Sequence, residues 1–294
     1  MNEEMSKPRV AIMGLGTMGA GMARRLASAN FPLTVYNRNT ERAAPFSKLG
    51  ALVATSPREA ASRAEIVLSM VADDDVSRKI WFGKDGALAG VSPGAVLIES
   101  STLTVKWVLE LVAAAAQCGC ELLDAPVTGT RPHAEAGELL FLVGGSGAAL
   151  ATARPVLSVL GRDTIHLGPS GSGAYMKLVN NFVCGVQAAS LAEALSLIDA
   201  SGLDGEKAMS ILINGAPGSP LVKRIWDSVN TRDLVPNFLL HLMAKDLRYA
   251  RDEASRFGLS LQTAASALAV FQHAIAKGHG DEDFSAVLKS LRQA

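Results

Sequence analysis

The chain has 294 residues, enough for two domains with a substantial core, and its 28 basic and 28 acidic residues balance. That balance leaves no electrostatic footprint for nucleic acid or an anionic membrane, and no run approaches the roughly 18 consecutive apolar residues of a membrane span. The three cysteines, Cys118, Cys120 and Cys184, cannot all pair and lack a metal-ligand spacing, so a reduced, cytoplasmic compartment and no bound metal are expected; the charged residues before the first strand predict no signal peptide.

Val10-Ala11-Ile12-Met13 reads as an apolar strand that runs into Gly14-Leu15-Gly16-Thr17-Met18-Gly19 and then into the helical pattern Met22-Ala23-Arg24-Arg25-Leu26. Strand, G-x-G-x-x-G turn and helix in that order are what a dinucleotide-binding βαβ unit requires. Gly14 permits the tight turn, Gly16 lets backbone approach a pyrophosphate, and Gly19 lets helix and strand pack closely. A second strand, Leu33 to Tyr36, ends in Asn37-Arg38-Asn39-Thr40. An NAD site usually places a carboxylate there, about 20 residues past the glycines. None is present, while Arg38 offers a fixed charged fork for a ribose 2′-phosphate, with Asn37, Asn39 and Thr40 as uncharged donors and Arg42 nearby. The expected cofactor is NADP.

Further strands are predicted at Ile66 to Ser69, Val96 to Glu99, Glu121 to Ala125, Leu140 to Val143 and Thr164 to Leu167. Helical segments fall at Glu41 to Lys48, Asp75 to Phe82, Thr104 to Gln117 and Ala148 to Val159. This alternation predicts an α/β, Rossmann-type doubly wound sheet over residues 1–168. From Gly171 the strand signal stops, and a long helix from Ala174 to Ser201 opens an all-helical domain, 169–294, broken at Gly202, at Pro217-Gly218-Ser219-Pro220 and at Gly258.

In open α/β sheets ligands bind beyond the carboxyl ends of the strands. Three segments fall there: Val71-Ala72-Asp73-Asp74-Asp75, whose acids also suit a helix N-cap; Ser100-Ser101-Thr102; and Asp124-Ala125-Pro126-Val127-Thr128-Gly129-Thr130. The catalytic constellation is expected in Gly173-Ala174-Tyr175-Met176-Lys177-Leu178-Val179-Asn180-Asn181. Lys177 and Asn181 stand at i and i+4 on one helix face, a lysine to give a proton and an amide to fix its direction. Two mid-helix asparagines need a specific partner, because Asn is a poor helix former. Lys245-Asp246 lies in the middle of another predicted helix, after the uncharged stretch from Phe238 to Ala244.

Gly14-Leu15-Gly16-Thr17-Met18-Gly19, Asp124-Ala125-Pro126-Val127-Thr128-Gly129, Gly173-x-x-x-Lys177-x-x-Asn180-Asn181 and Lys245-Asp246-Leu247, in this order, resemble the motifs of the β-hydroxyacid dehydrogenases, a family that includes 3-hydroxyisobutyrate dehydrogenase, tartronate semialdehyde reductase and the glyoxylate/succinic semialdehyde reductases. The resemblance spans nearly the whole chain. It implies a Rossmann domain followed by a helical domain that forms homodimers or homotetramers, with Lys177 as catalytic acid/base supported by Asn181. It also implies that Thr128, Gly129 and Thr130 bind the carboxylate of a small substrate, that Phe238 and Asp246 lie near the site, and that Val71, Thr102 and Lys245 approach the cofactor. Asn37-Arg38 looks like the NADPH-using reductases rather than the NAD-using members, which tend to carry Asp there. One departure is plain. Where the family commonly reads Ser-Gly-Gly-x-x-Gly-Ala, this chain has Thr128-Gly129-Thr130-Arg131-Pro132-His133-Ala134, and losing two glycines should alter the loop's path or narrow the pocket. Arg131 either supplies an extra cation or faces solvent, and His133 either contacts substrate or fills space.

The expected activity is hydride transfer between NADP(H) and a small semialdehyde, 2-oxo acid or hydroxy acid. The alternatives are an NAD-dependent 3-hydroxyisobutyrate or tartronate semialdehyde type, an imine reductase, which Lys177 speaks against, and a non-enzymatic cofactor-binding scaffold, which retention of Lys177, Asn181 and Asp246 speaks against.

Overall fold

The computed structural model describes residues 7–231 and 236–291. The chain divides into two compact units, Met1–Lys177 and Leu178–Ala294.

In the first unit, β1 (Val10–Met13), β2 (Leu33–Tyr36), β3 (Leu52–Val53), β4 (Ile66–Ser69), β5 (Val96–Glu99) and β6 (Glu121–Asp124) form a parallel sheet in the order β3-β2-β1-β4-β5-β6. The central strands β1, β4 and β5 are buried at every position, so they do not alternate; β1 is apolar throughout, while β4 and β5 are apolar up to a buried polar residue at the carboxyl end, Ser69 and Glu99. Strand order reverses between β1 and β4, where Met13 pairs with Ser69, and such a switch point is where ligands of open α/β sheets bind. Beyond β6, the two-residue β7 (Val127–Thr128) and the longer β8 (Leu139–Gly144) add an antiparallel margin, and β9 (Gly161–Gly168) runs parallel to β8.

Helices α1 (Thr17–Ser28), α2 (Thr40–Ser47), α3 (Pro57–Ser62), α4 (Asp74–Trp81), α5 (Val105–Gln117), α6 (Arg131–Ala136) and α7 (Gly147–Leu160) connect these strands. The acidic run at Asp73 resolves as the helix-cap reading: Asp73 accepts from Val76 N–H at 2.8 Å. The core of this unit interdigitates Ile12, Met22, Leu26, Val35, Leu68 and Phe141.

Helix α8 (Ser172–Ser201) runs 30 residues and ends before Gly202, which takes the left-handed φ of +73° that a helix stop favours. By length and composition it could cross a membrane; its residues Ala188, Ala192 and Leu195 are buried in the core of the second unit. That unit continues with α9 (Gly205–Asn214), α10 (Pro220–Thr231), α11 (Leu240–Ser255), α12 (Gln262–Ala276) and α13 (Val287–Leu291), and no strand occurs among its described residues. The predicted breaks at Gly202, at Pro217–Pro220 and at Gly258 fall between α8 and α9, at the start of α10, and between α11 and α12; the separation of α12 from α13 was not predicted.

Candidate active site

The turn after β1 has the geometry that the three glycines require. A Cβ at Gly14 would stand 2.2 Å from the Met70 carbonyl oxygen, and one at Gly19 would stand 2.0 Å from the Gly14 carbonyl oxygen, so neither position tolerates a side chain. Gly16 is different: nothing lies within 4 Å of the position its Cβ would take. Open space sits at the start of α1, and that start has no side-chain cap. By contrast α2, α3, α4, α5 and α7 each begin under a side-chain acceptor, from Asn39, Ser56, Asp73, Thr104 and Ser146. Uncapped N–H groups beside a glycine-lined opening fit a pyrophosphate, so the residues present suit a dinucleotide.

Asn37 braces the turn. Its Oδ1 accepts from Leu15 N–H at 2.9 Å and its Nδ2 donates to the Asn39 carbonyl at 2.9 Å, tying the glycine loop to the end of β2. Asn39 Oδ1 caps α2 at Glu41. Arg38 is exposed between them, and no acidic side chain follows β2 before Glu41.

At the next two strand ends, Val71 N–H donates to Ser101 Oγ at 2.8 Å, joining the loop after β4 to the loop after β5 that carries Thr102. Glu99 sits behind this junction, 1% exposed. It accepts from Ser101 N–H at 3.0 Å, Ser77 Oγ at 2.8 Å and Trp81 Nε1 at 2.7 Å. Burial pushes its carboxyl above the usual carboxylate range, against the hydrogen bonds from Ser101, Trp81 and Ser77 that favour the ionised form.

The altered loop turns directly into α6. Gly129 has φ +132°, and a Cβ there would stand 2.9 Å from Leu139 Cδ2 and 3.2 Å from His133 Cβ. Thr130 is buried; its N–H donates to His133 Nδ1 at 3.2 Å and its hydroxyl lies 2.8 Å from the same nitrogen. His133 thus takes the reciprocal capping position usually held by Glu or Gln. Arg131 leans toward Glu135 at 4.0 Å, and Glu135 also pairs with Arg24 of α1 at 3.0 Å. Thr128 remains half-buried and Gly129 exposed.

Lys177, half-buried, lies one turn into α8. The residue before the helix is Gly171, which has no side chain to cap it, and the cap comes from β6 instead. Asp124 Oδ1 accepts from Gly171 N–H at 2.8 Å and Oδ2 from Ala174 N–H at 2.9 Å. A Cβ at Gly173 would stand 2.2 Å from the Leu142 carbonyl oxygen and 2.5 Å from that of Asp124, so only glycine lets the helix approach the strand ends this closely. Burial raises the Asp124 carboxyl above its ordinary range despite the N–H groups of Gly171, Ala174 and Gly173. Sequence reasoning assigned Asp124 no task. The available signal was a long helix preceded by glycine, which must borrow its cap from elsewhere.

In the second unit, Asn181 is 4% exposed. Its Nδ2 donates to Asp246 Oδ2 at 2.6 Å, and its Oδ1 accepts from Asn180 Nδ2 at 2.9 Å. Asp246 is 0% exposed, with Lys245 Nζ 3.1 Å from its Oδ1. The two mid-helix asparagines therefore have the partner they require, and the Lys245-Asp246 pair is internal rather than surface decoration. Phe238 packs against the core of the second unit, its ring 6.0 Å from that of Phe284 and its N–H held by Asp283 at 3.1 Å.

Residues 9–168 match the NAD-binding domain of 6-phosphogluconate dehydrogenase, and residues 171–291 match the NAD-binding domain of NADP-dependent 3-hydroxyisobutyrate dehydrogenase. The chain is 32% identical over 292 residues to glyoxylate/succinic semialdehyde reductase 2 of Arabidopsis thaliana, covering 99% of this chain and 82% of the relative. It is 34% identical over 288 residues to the NAD-dependent L-serine dehydrogenase of Pseudomonas aeruginosa, covering 96% and 97%. The solved structure of 3-hydroxyisobutyrate dehydrogenase from Mycobacterium tuberculosis with L-serine superimposes with a TM-score of 0.88 at 32% identity, covering 98% of this chain and 100% of that one. With its paired nucleotide-binding and helical units, the chain belongs to the β-hydroxyacid dehydrogenase family, oxidoreductases that act on small hydroxy acids or semialdehydes.

Proposed function

We propose that this protein is an NADPH-dependent reductase of a small carboxylate-bearing aldehyde or 2-oxo acid, of the glyoxylate or succinic semialdehyde kind. The observation that carries the reading is the placement of Lys177 one turn past a helix start that Asp124 bonds to the carboxyl end of β6. When bound, the nicotinamide supplies the hydride for the carbonyl carbon. The Lys177 ammonium gives its proton to the carbonyl oxygen, completing the alcohol, and the amine regains a proton from water. Asn181, one turn further on, is held in a single orientation by Asp246 and Asn180 and directs the oxygen toward the lysine. The Thr128 hydroxyl and the Gly129 N–H hold the substrate carboxylate, which converts a collision into an oriented approach.

Arg38 supports the choice of NADPH, since it is an exposed guanidinium at the end of β2, where no carboxylate stands to receive a ribose hydroxyl. The NAD-dependent serine enzyme among the relatives favours a second reading, oxidation of a 3-hydroxy acid with NAD, and assaying both cofactors in both directions decides between them. The central test is Lys177→Ala: kcat with glyoxylate or succinic semialdehyde should fall by about 10²- to 10⁴-fold, the usual contribution of a positioned general acid, with NADPH affinity unchanged. Wild-type turnover in that variant overturns the mechanism.

A further inference from the structure

We propose that Asp124 is a positioning residue for catalysis: its carboxylate sets the height and phase of α8 and thereby the place of the Lys177 ammonium. The inference rests on the proposed role of Lys177 and adds the device that aims it. Three observations converge. The helix has glycine where its own cap would be, so the acceptor comes from Asp124, one oxygen each to the N–H groups of Gly171 and Ala174, 47 and 50 positions further along the chain. Gly173, between them, brings the helix backbone against the carbonyl oxygens of Leu142 and Asp124. Gly144 closes the other side, since a Cβ there would lie 2.6 and 2.8 Å from the two Asp124 carboxylate oxygens. The carboxylate is thus gripped between β8 and α8. A two-point attachment fixes rotation as well as height, and Lys177 follows Ala174 by three residues, just under one helical turn.

An amide in place of the carboxylate keeps the volume but offers one acceptor and turns an NH₂ toward the other N–H. The helix start then re-seats, and a misplacement of about 1 Å at a reacting group costs on the order of a hundredfold in rate. The test is Asp124→Asn, alone and with Lys177→Ala, measuring kcat per bound NADPH, KM for each substrate, and the isotope effect on kcat with NADPH deuterated at the transferred position. Counting active sites by bound NADPH removes any unfolded fraction. A merely structural role lowers the amount of active protein but leaves kcat per site and the isotope effect unchanged.

The expected result is a fall of about a hundredfold in kcat per site with KM for NADPH unchanged, a larger isotope effect as the chemical step becomes limiting, and no further loss in the double variant. Should Asp124→Asn not bind NADPH stoichiometrically, Asp124→Glu carries the same test, because it keeps the charge and both oxygens on an arm one methylene longer. Wild-type kcat per site in the variant that binds, or a loss that multiplies with that of Lys177→Ala, overturns the positioning role. If Lys177→Ala itself turns over normally, the proton-donor reading falls, and this one with it; if only Asp124→Asn is normal, the proton-donor reading stands alone.

Discussion

Asp246→Ala tests whether the second unit is organised around a buried counter-charge. The side chain is 0% exposed, its neighbour Lys245 is 10% exposed at 3.1 Å, and Asn181 donates to the other oxygen at 2.6 Å. Truncation removes the carboxylate 3.1 Å from the Lys245 ammonium, which keeps the Tyr249 ring, 5.1 Å away at its centroid, and removes the acceptor for the Asn181 amide. Breaking a buried pair in this way costs about 3–5 kcal/mol, and the lower end applies because the ring retains part of the stabilisation. For a chain of this size each kcal/mol moves the melting point by roughly 2–4 °C, so a drop of roughly 6–12 °C is expected. Asp246→Asn keeps an acceptor for Asn181 and loses only the charge, and should fall between the wild type and the alanine variant. Thermal melts followed by circular dichroism measure both. A truncated variant melting within about 2 °C of the wild type, less than the shift expected for 1 kcal/mol, refutes the argument that Asp246 is a desolvated anion whose partners depend on it.

Two further outcomes follow from the first unit. Arg38→Asp should shift the ratio of kcat/KM for NADPH over NADH by about ten- to a hundredfold toward NADH, the worth of one charge-assisted hydrogen bond; an unchanged ratio moves the 2′-phosphate contact off Arg38. Glu99 has its carboxyl raised by burial, so the folded protein holds a proton that the unfolded chain has already released above about pH 4.3. Its contribution is therefore fully favourable below that pH and is lost as pH rises toward the raised folded value. Glu99→Gln removes this dependence, so the melting temperature of the variant minus that of the wild type should climb as pH rises through the window and then level off. A difference that stays flat with pH contradicts a proton-linked Glu99.

What could be read from the sequence divides by range of interaction. The strands β1, β4 and β5 announce themselves because both faces are buried, which favours apolar runs of three or four residues without alternation. The pairs Leu52–Val53 and Val127–Thr128 do not, because two residues carry no period and only a neighbouring strand makes them strands. The need of Asn180 and Asn181 for a specific partner was legible from local chemistry, since a helix interior does not favour an asparagine pair. Asp124 was visible as part of a motif but its task was not, because the groups it holds lie 47 and 50 residues away. Gly173 was likewise visible as a glycine, while the reason for it, two carbonyl oxygens from different strands, exists only in the fold.

The substrate loop shows how a departure from a family pattern can be absorbed locally yet change what is on offer to a ligand. Losing two glycines at 130 and 133 removes backbone freedom, and the structure answers with helix capping: His133 Nδ1 takes the Thr130 N–H and lies against its hydroxyl. Both polar groups of Thr130 are turned inward on a residue that is 7% exposed. Arg131, within the altered stretch, is drawn toward Glu135, which Arg24 also holds. Of the groups the resemblance assigned to the carboxylate, the half-buried Thr128 and the exposed Gly129 remain presented. On the proposed mechanism, carboxylate recognition therefore narrows to one hydroxyl and one backbone N–H at positive φ, a grip on a single anionic group that leaves selection among small aldehydes to the chain length behind the carbonyl.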